Sequence, residues 1–325
     1  MLPIGNDSAR EALAAAMASG ALHHAWLIAG PQGVGKGSFA RVAALRMLAE
    51  AAEPDALSPG WDVPESTRTA HYAASGAHPD YRELVRLPKD PDKPDEALAR
   101  SITIAQVRSL QALFANKPSL SSRRVILIDA IDDLEHGGAN ALLKSLEEPP
   151  QGTIFLLVSH SPGRLLPTIR SRCRLLRFEA LAPSQVAPIV RAQLPDATAS
   201  EIDALVRAGE GSPGRALGFA GLDLAALEGE MNALADTGDA SNIIRARLSK
   251  QLGAKAAQLR YEAFLDRAPT FIAERARTLS GETLRTALDA YAAARDLTAS
   301  ALGLSLDASA TVFEMSGLIA RLSSR

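Results

Sequence analysis

The sequence predicts an α/β fold in which a parallel sheet lies within residues 1–180 and helices make up the remainder of the chain. Two observations support this fold class. Short, continuous apolar runs alternate with helical stretches, and no further run of this kind follows about residue 181. Continuous apolar strands are typical of parallel sheets that are buried on both faces. Alternating strands and helices are typical of an α/β layer fold.

The strands are predicted from runs rich in β-branched and large apolar residues, at 24–29, 125–128 and 154–158. A helix is expected to follow the first run over 38–48. A second helix is expected from the capping-box residues at 103–106 to about Asn116, because Thr and Gln at this spacing can cap each other's backbone groups.

Residues 51–94 predict a long connecting insertion with one strand near 81–85. Proline lacks a backbone N–H and breaks helices. The region contains seven prolines, at positions 54, 59, 64, 79, 88, 91 and 94.

The helical part of the chain divides into two predicted domains. Three short helices at 183–193, 200–209 and 213–221 form the first, over 181–221. The Ala- and Leu-rich remainder, 222–325, forms the second. A length of 325 residues agrees with two or three domains, since one domain averages roughly 150 residues.

Composition excludes several classes of protein. Hydrophobic residues make up 47% and charged residues 22%, as in a globular protein. The formal charge of −2 argues against a protein that wraps DNA, which needs a surplus of Lys and Arg. The single cysteine, Cys173, allows no internal disulfide and no cysteine-rich zinc site. This cysteine usage, with no secretory signal pattern and no apolar run long enough for a membrane span, predicts a cytoplasmic location.

A glycine-rich segment, GPQGVGKGS at 30–38, follows the first predicted strand and opens a helix. Backbone N–H groups in such a loop bind phosphate, and Lys36 would reach the outer phosphates. However, Gly37 stands where a Mg²⁺-ligating hydroxyl is expected. Ser38 comes one residue late and is rotated by about 100° on a helix. The residues leave open whether the loop binds nucleotide or is only a glycine-rich turn.

Residues 129–150 contain three acids and an amphipathic segment that are considered as parts of a site. Asp129 ends the predicted strand at 125–128 and could hold a metal-bound water, but the next residue is Ala130 rather than a second acid. Asp132 and Asp133 are expected on a solvated face. The segment 140–150, NALLKSLEEPP, predicts an amphipathic helix that the proline pair ends.

Two arginines are candidates for contact with the phosphate groups of a nucleotide. Arg172 lies in a basic segment, 168–174. A helix that carries it to the surface could present its guanidinium to a neighbouring subunit, and an exposed basic turn is the alternative. Arg215 could sense phosphate across a cleft. For both, an ordinary exposed arginine is the alternative. Cys173 is expected to be a packing residue rather than a nucleophile.

Taken together, these segments resemble the clamp-loader AAA+ proteins of bacterial DNA polymerase III. The resemblance depends on the glycine-rich loop, the segment HPDY at 78–81, the strand ending at Asp129, NALLKSLEEPP, FLLVSHSP at 155–162 and the triplet SRC at 171–173. It covers residues 1–220. The family's motor subunits, gamma/tau, keep a hydroxyl after the lysine and an acid pair at the strand end. Gly37 and Ala130 therefore favour a non-motor member.

The resemblance implies a P-loop AAA+ domain, a three-helix lid and an oligomerising helical collar. Arg172 would be an arginine finger offered to ATP on an adjacent motor subunit. A degenerate pocket that holds ATP or ADP without hydrolysis would comprise Gly30, Gly33, Gly35, Lys36, Ser38, Asp129 and Arg215. Ser159 lies near the family's sensor position, with His160 and Ser161 as competing candidates.

Several further expectations come from the same resemblance. The partners would be gamma/tau and delta in a hetero-pentamer, the sliding clamp and primed DNA. No zinc is expected, because the region of the family's four-cysteine module, 48–78, has no cysteine. The alternative to this assignment is a catalytically active P-loop ATPase of the motor type.

Overall fold

A computed structural model describes residues 4–20, 22–90, 92, 98–304 and 306–323. The start of the N-terminal segment used to judge a secretory signal, and Pro91 and Pro94 of the insertion, lie outside the described residues. The chain forms two compact units. The first runs to Val186 and includes Gly211–Gly214, whereas the second comprises Ala187–Glu210 and Arg215–Arg325.

A five-stranded parallel sheet forms the centre of the first unit. Its strands are β1 (Ala25–Ala29), β2 (Tyr81–Leu84), β3 (Arg124–Asp129), β4 (Thr153–Ser159) and β5 (Arg174–Arg177). Their order in the sheet is β2-β3-β4-β1-β5. The fold class and the four predicted strands are confirmed. Strand β5 was not predicted, because its sequence, RLLR, is short and buries only Leu176.

Burial explains why the central strands have no polar alternation. Every residue of β1 and β4 is buried, as is every residue of β3 before Asp129. Apolar side chains on the two faces belong to separate core clusters. Phe39 and Met47 pack in one cluster, and Leu142 and Leu146 pack in the other.

Helices cover the sheet as the sequence pattern predicts. The first unit contains α1 (Asp7–Ala18), α2 (Lys36–Ala52), α3 (Arg68–Ala74), α4 (Ile104–Phe114), α5 (His136–Glu147), α6 (Pro167–Arg170) and the start of α7 (Pro183–Gln193). The predicted capping box is present at the start of α4, where Thr103 and Gln106 cap each other's backbone N–H groups. Helix α5 confirms the predicted amphipathic helix, since it buries Leu142 and Leu146 and ends at Glu147.

Of the helix and the turn considered for Arg172, the structure shows the turn. Helix α6 ends at Arg170, Ser171 and Arg172 form a turn, and β5 begins at Arg174. The strand is favoured because residues 174–177 pair in parallel with Trp26 to Ala29. Arg172 is thus presented by a turn between a helix and a strand.

Asp80 joins the start of the sheet to the segment that precedes β3. It is fully buried, and its carboxylate accepts hydrogen bonds from the backbone N–H groups of Ser119 and Leu120, both at 2.7 Å. The guanidinium of Arg124, also buried, lies 4.0 Å from it and donates to the carbonyl of Asn116. The segment HPDY therefore has a structural role through its aspartate.

The second unit contains only helices among its described residues. They are the rest of α7, α8 (Ala199–Gly209), the rest of α9 (Pro213–Gly218), α10 (Leu224–Thr237), α11 (Ile243–Leu252), α12 (Gln258–Ala276), α13 (Gly281–Leu304) and α14 (Ala308–Ala320). Helix α14 contacts α10, α11, α12 and α13. The buried guanidinium of Arg267 bridges Glu228 and Glu274. The helices predicted at 183–221 are present, while the division of this region into lid and collar domains stays a prediction.

None of the helices in the described ranges is long and apolar enough to cross a membrane.

The role of Asp80 can be tested by substitution. We expect Asp80→Ala to lower the free energy of unfolding by about 3 kcal/mol, because it removes the acceptor of two backbone N–H groups and the counter-charge of a buried guanidinium. Urea denaturation followed by circular dichroism measures the change. Asp55→Ala is the matched control, since Asp55 is exposed. Equal stability of the two variants would contradict the structural role of Asp80.

Candidate functional site

The carboxyl ends of three neighbouring strands bring the predicted site residues together. Ala29, at the end of β1, pairs with Ser159 of β4, and Asp129, at the end of β3, pairs with Val158. The chain continues from β1 into the glycine-rich loop, where the N–H of Gly30 donates to the carbonyl of Ser159 at 3.2 Å. One edge of the sheet thus holds the glycine-rich loop, Asp129 and Ser159, which was considered for the sensor position.

The loop requires its glycines for two physical reasons. Gly33 and Gly35 have φ values of 78° and 94°, which glycine adopts most readily. At Gly30 a Cβ would collide with the backbone carbonyl of Phe178. Val34, which lies between Gly33 and Gly35, is buried in the core and anchors the loop. The backbone therefore adopts a turn that few other sequences could form.

Lys36 begins α2 and is almost completely buried, with 2% of its surface exposed. Its ammonium group donates to the carbonyl of Gly30 at 2.6 Å and also to that of Pro31. Burial lowers the pKa of Lys36 to about 8, although the negative charges of Asp129 and Asp132 oppose this shift. The lysine is thus held against its own loop, near the strand-end acids.

Asp129 is paired with an arginine that sequence reasoning missed. Arg41 lies on α2, one helical turn after Gly37. Its Nη2 donates to Asp129 Oδ2 at 3.0 Å, and its Nε donates to Glu83 Oε1 at 2.8 Å. Glu83 lies on β2 and also accepts a hydrogen bond from the Tyr81 hydroxyl at 3.0 Å. No local spacing in the sequence signals this pair, because Arg41 and Asp129 lie on separate elements, 88 residues apart.

A magnesium ion does not fit these residues. Gly37 has no hydroxyl, and a Cβ added there would lie inside the contact distance of Asp129 Oδ2. The Asp129 carboxylate is already bound by Arg41. In the described part of the chain, no group of three or more His, Cys, Asp or Glu residues could hold a metal ion. The absence of zinc from the protein stays a prediction.

Asp132 was expected on a solvated face, but its carboxylate is bound by groups at the end of β4. Its carboxylate accepts hydrogen bonds from the Ser159 hydroxyl at 3.1 Å, from the N–H of His160 at 2.7 Å and from the N–H of Ser161 at 3.0 Å. The expectation was wrong because the turn after β3 directs this side chain toward the end of β4. All three residues considered for the sensor position are thus held by one carboxylate.

The segment Gly211–Gly214 lies against the loop. Ser212 donates through its hydroxyl to the carbonyl of Gln32 at 2.7 Å, and the N–H of Gly214 donates to the carbonyl of Gly33 at 2.9 Å. A Cβ at Gly214 would lie 2.8 Å from the Cα of Gly33, so this close approach requires glycine. Sequence reasoning did not identify this role of Gly214.

Ser38 and Arg215 were also predicted to line the nucleotide pocket. Ser38 is exposed on the first turn of α2. The Arg215 guanidinium forms ion pairs with Asp266, at 2.8 Å, and with Glu210. Their assignment to a nucleotide pocket stays a prediction.

Arg172 forms a separate site on the first unit. Its Nη2 lies 2.7 Å from Glu147 Oε1, and its Nη1 donates to the carbonyl of Thr168 at 2.8 Å. Glu147 is the last residue of α5, so the end of NALLKSLEEPP meets the SRC turn. A third of the Arg172 side chain is exposed. Sequence reasoning did not identify Glu147 as the partner.

Cys173 confirms its predicted packing role. Its side chain packs against the core cluster on one face of the sheet, and burial raises the pKa of its thiol to about 12. The group is therefore a neutral thiol at ordinary pH rather than a nucleophilic thiolate.

Comparison with known proteins gives consistent matches. The family model described as DNA polymerase III, delta subunit, matches residues 5–182. The chain is 35% identical to DNA polymerase III subunit delta′ of Pseudomonas aeruginosa over 192 residues, which are 58% of this chain and 53% of that protein. It is 34% identical to subunit delta′ of Bacillus subtilis over 165 residues, 51% of this chain and 45% of the relative.

A match to subunit gamma/tau of Mycobacterium tuberculosis is 32% identical over 215 residues, 65% of this chain and 34% of the relative. The chain spans about half the length of the delta′ relatives that it matches.

The burial of Lys36 predicts a distinct titration. We expect the Cε–H signals of Lys36 in an NMR titration to shift near pH 8, because burial disfavours the charged ammonium. The unfolded chain, in which the lysine keeps its ordinary pKa, holds more protons between about pH 8 and pH 10. The free energy of unfolding relative to Lys36→Met should therefore rise over that interval. A shift near the ordinary pKa of 10.5 would contradict the buried environment.

Proposed function

The chain belongs to the family described as DNA polymerase III, delta subunit, and from this premise we propose that it is a delta′-type, non-hydrolysing AAA+ subunit of a clamp loader. In this proposal it helps to load a ring-shaped sliding clamp onto primed DNA in the cytoplasm. It contributes an arginine finger to ATP that is bound by a neighbouring motor subunit.

One contrast within the first unit supports this proposal most directly. The chain's own phosphate-binding loop lacks residues needed for hydrolysis, whereas the turn after α6 presents a partly exposed arginine, Arg172. Gly37 offers no hydroxyl, Ala130 offers no acid to activate water, and Arg41 binds the remaining carboxylate, Asp129. These features argue against the alternative of a motor-type ATPase, which needs a metal beside the phosphates and a positioned water.

Arg172 is well suited to act on a neighbour's nucleotide. Its guanidinium is positioned by Glu147 and by the carbonyl of Thr168, and part of it is exposed. Ion pairs between partly exposed groups contribute only about 0–1 kcal/mol, so the more highly charged phosphates of ATP could displace Glu147. An arginine then stabilises charge on the transferring phosphoryl group with its planar set of donors.

The remaining parts of the proposal concern partners and nucleotide. The helical second unit would form the collar that joins this chain to gamma/tau and delta subunits in a hetero-pentamer. Contact with DNA would be shared among the subunits, in agreement with a formal charge of only −2. The chain's own loop, with Gly30, Gly33, Gly35 and Lys36, would retain ATP or ADP without turning it over.

The isolated chain is expected to hydrolyse no ATP above background. A coupled assay of phosphate release with and without Mg²⁺ tests this, and Lys36→Ala serves as the control for a contaminating ATPase. Magnesium-dependent hydrolysis that disappears in Lys36→Ala would contradict the proposal.

In a reconstituted clamp loader, Arg172→Ala is expected to reduce clamp-stimulated ATPase activity while the complex still assembles. An arginine finger accelerates phosphoryl transfer by about 10³–10⁵-fold at the site it serves. The total rate should fall by roughly the share of that one site. Steady-state ATPase assays and size-exclusion chromatography measure the two effects.

Arg170→Ala is the matched control, since Arg170 is an exposed arginine two positions earlier at the end of α6. It should leave the ATPase rate unchanged. Equal rates for Arg172→Ala and the unaltered complex would exclude the finger role.

A further inference from the structure

Arg41 is placed where the phosphate-binding loop would need a divalent cation. The guanidinium lies between Asp129, at the end of β3, and Glu83, on the edge strand β2. A strand-end aspartate beside a phosphate loop is the residue type that holds a metal-bound water in ATP-hydrolysing members of such folds. Here the same carboxylate accepts a hydrogen bond from a side chain of the protein.

A side chain at position 37 would also force the Asp129 carboxylate away from its present place beside Arg41. A Cβ at position 37 would collide with Asp129 Oδ2 and lie 3.1 Å from Asp129 Cγ and 3.2 Å from Arg41 Nη1. Glycine at position 37 therefore does more than remove a metal ligand. It leaves room for Asp129, at the end of β3, to contact Arg41, which lies one turn further along α2.

The charges around Arg41 favour its retention. Burial opposes the charge, but the hydrogen bond from Arg41 to Glu83 and the charges of Glu83 and Asp129 outweigh burial and raise the pKa of the guanidinium. Tyr81, which donates to the second Glu83 oxygen, closes the network on the other side. A metal at Asp129 would either displace Arg41 from Oδ2 or share the carboxylate with it, and in both cases two positive charges would lie side by side.

We propose that Arg41 is the resident cation of this loop and that it keeps divalent metal out, so that any nucleoside diphosphate or triphosphate taken up here binds without Mg²⁺. This inference deepens the proposed absence of hydrolysis, on which it rests. It assigns that absence to a built-in ion pair as well as to the missing hydroxyl.

The experiment follows Mn²⁺ and ADP with the isolated full chain. Water-proton relaxation rates rise when Mn²⁺–ADP is immobilised on a protein. We expect the unaltered chain to give the rate of Mn²⁺–ADP alone, and Gly37→Ser with Arg41→Ala to raise it severalfold. Each single variant should give less than the pair, since Gly37→Ser still meets Arg41 and Arg41→Ala still lacks the hydroxyl.

Two results would overturn the proposal: an elevated relaxation rate in the unaltered chain, or a double variant that gains nothing. Gly37→Ser with Arg41→Gln serves as a second double variant, because glutamine retains hydrogen-bonding capacity beside the two carboxylates. Arg68→Ala is the matched control for loss of a cation, since Arg68 is an exposed arginine near Glu53. It should behave like the unaltered chain.

A measurement on the unaltered protein does not depend on any variant. The Nε–H signal of Arg41 in a ¹⁵N NMR spectrum should stay sharp when Mn²⁺ and ADP are added, because no paramagnetic ion approaches it. Broadening of this signal would refute the proposal. None of these readouts involves Arg172 or the assembled complex, so failure here leaves the proposed finger to its own test.

Discussion

The structure of the first unit depends on the burial of three neighbouring parallel strands, β1, β3 and β4, in which every residue except Asp129 is buried. Because parallel strands end at the same edge, this burial places the glycine-rich loop, Asp129 and Ser159 next to one another. The two core clusters on the faces of the sheet keep these ends in register. Any chemistry at the loop therefore depends on packing that is distant from it.

At that edge, charges are balanced within the protein. Arg41 lies between Asp129 and Glu83, Lys36 binds loop carbonyls, and Asp132 is bound by the end of β4. Polar groups that are removed from water need such partners, since their desolvation is otherwise costly. Because Asp129 and Asp132 already accept hydrogen bonds within the protein, no metal ion is required to compensate their charges. The proposed division of labour, in which this chain supplies Arg172 to a neighbour's nucleotide, agrees with that arrangement.

The predictions that succeeded and failed differ in the range of the interactions behind them. Apolar runs and the capping box at Thr103 depend on neighbours in sequence, and the structure confirms them. The helix considered for Arg172 is wrong because strand β5 gains its backbone hydrogen bonds from β1, almost 150 residues earlier. Asp132 was misjudged for the same reason, since its three donors lie at the end of another strand.

By itself, the sequence determined the α/β class, four of the five strands, the phosphate-type loop with its missing hydroxyl, and the packing role of Cys173. Each of these follows from local spacing and residue type. Only the tertiary structure decided which charges meet. Arg41 with Asp129, and Arg172 with Glu147, are joined by the crossing of separate elements, and side-chain pairing across a fold has no local signature in the chain. The physical reason is that an ion pair depends on a separation of a few ångströms in space, whereas sequence patterns report only separation along the backbone.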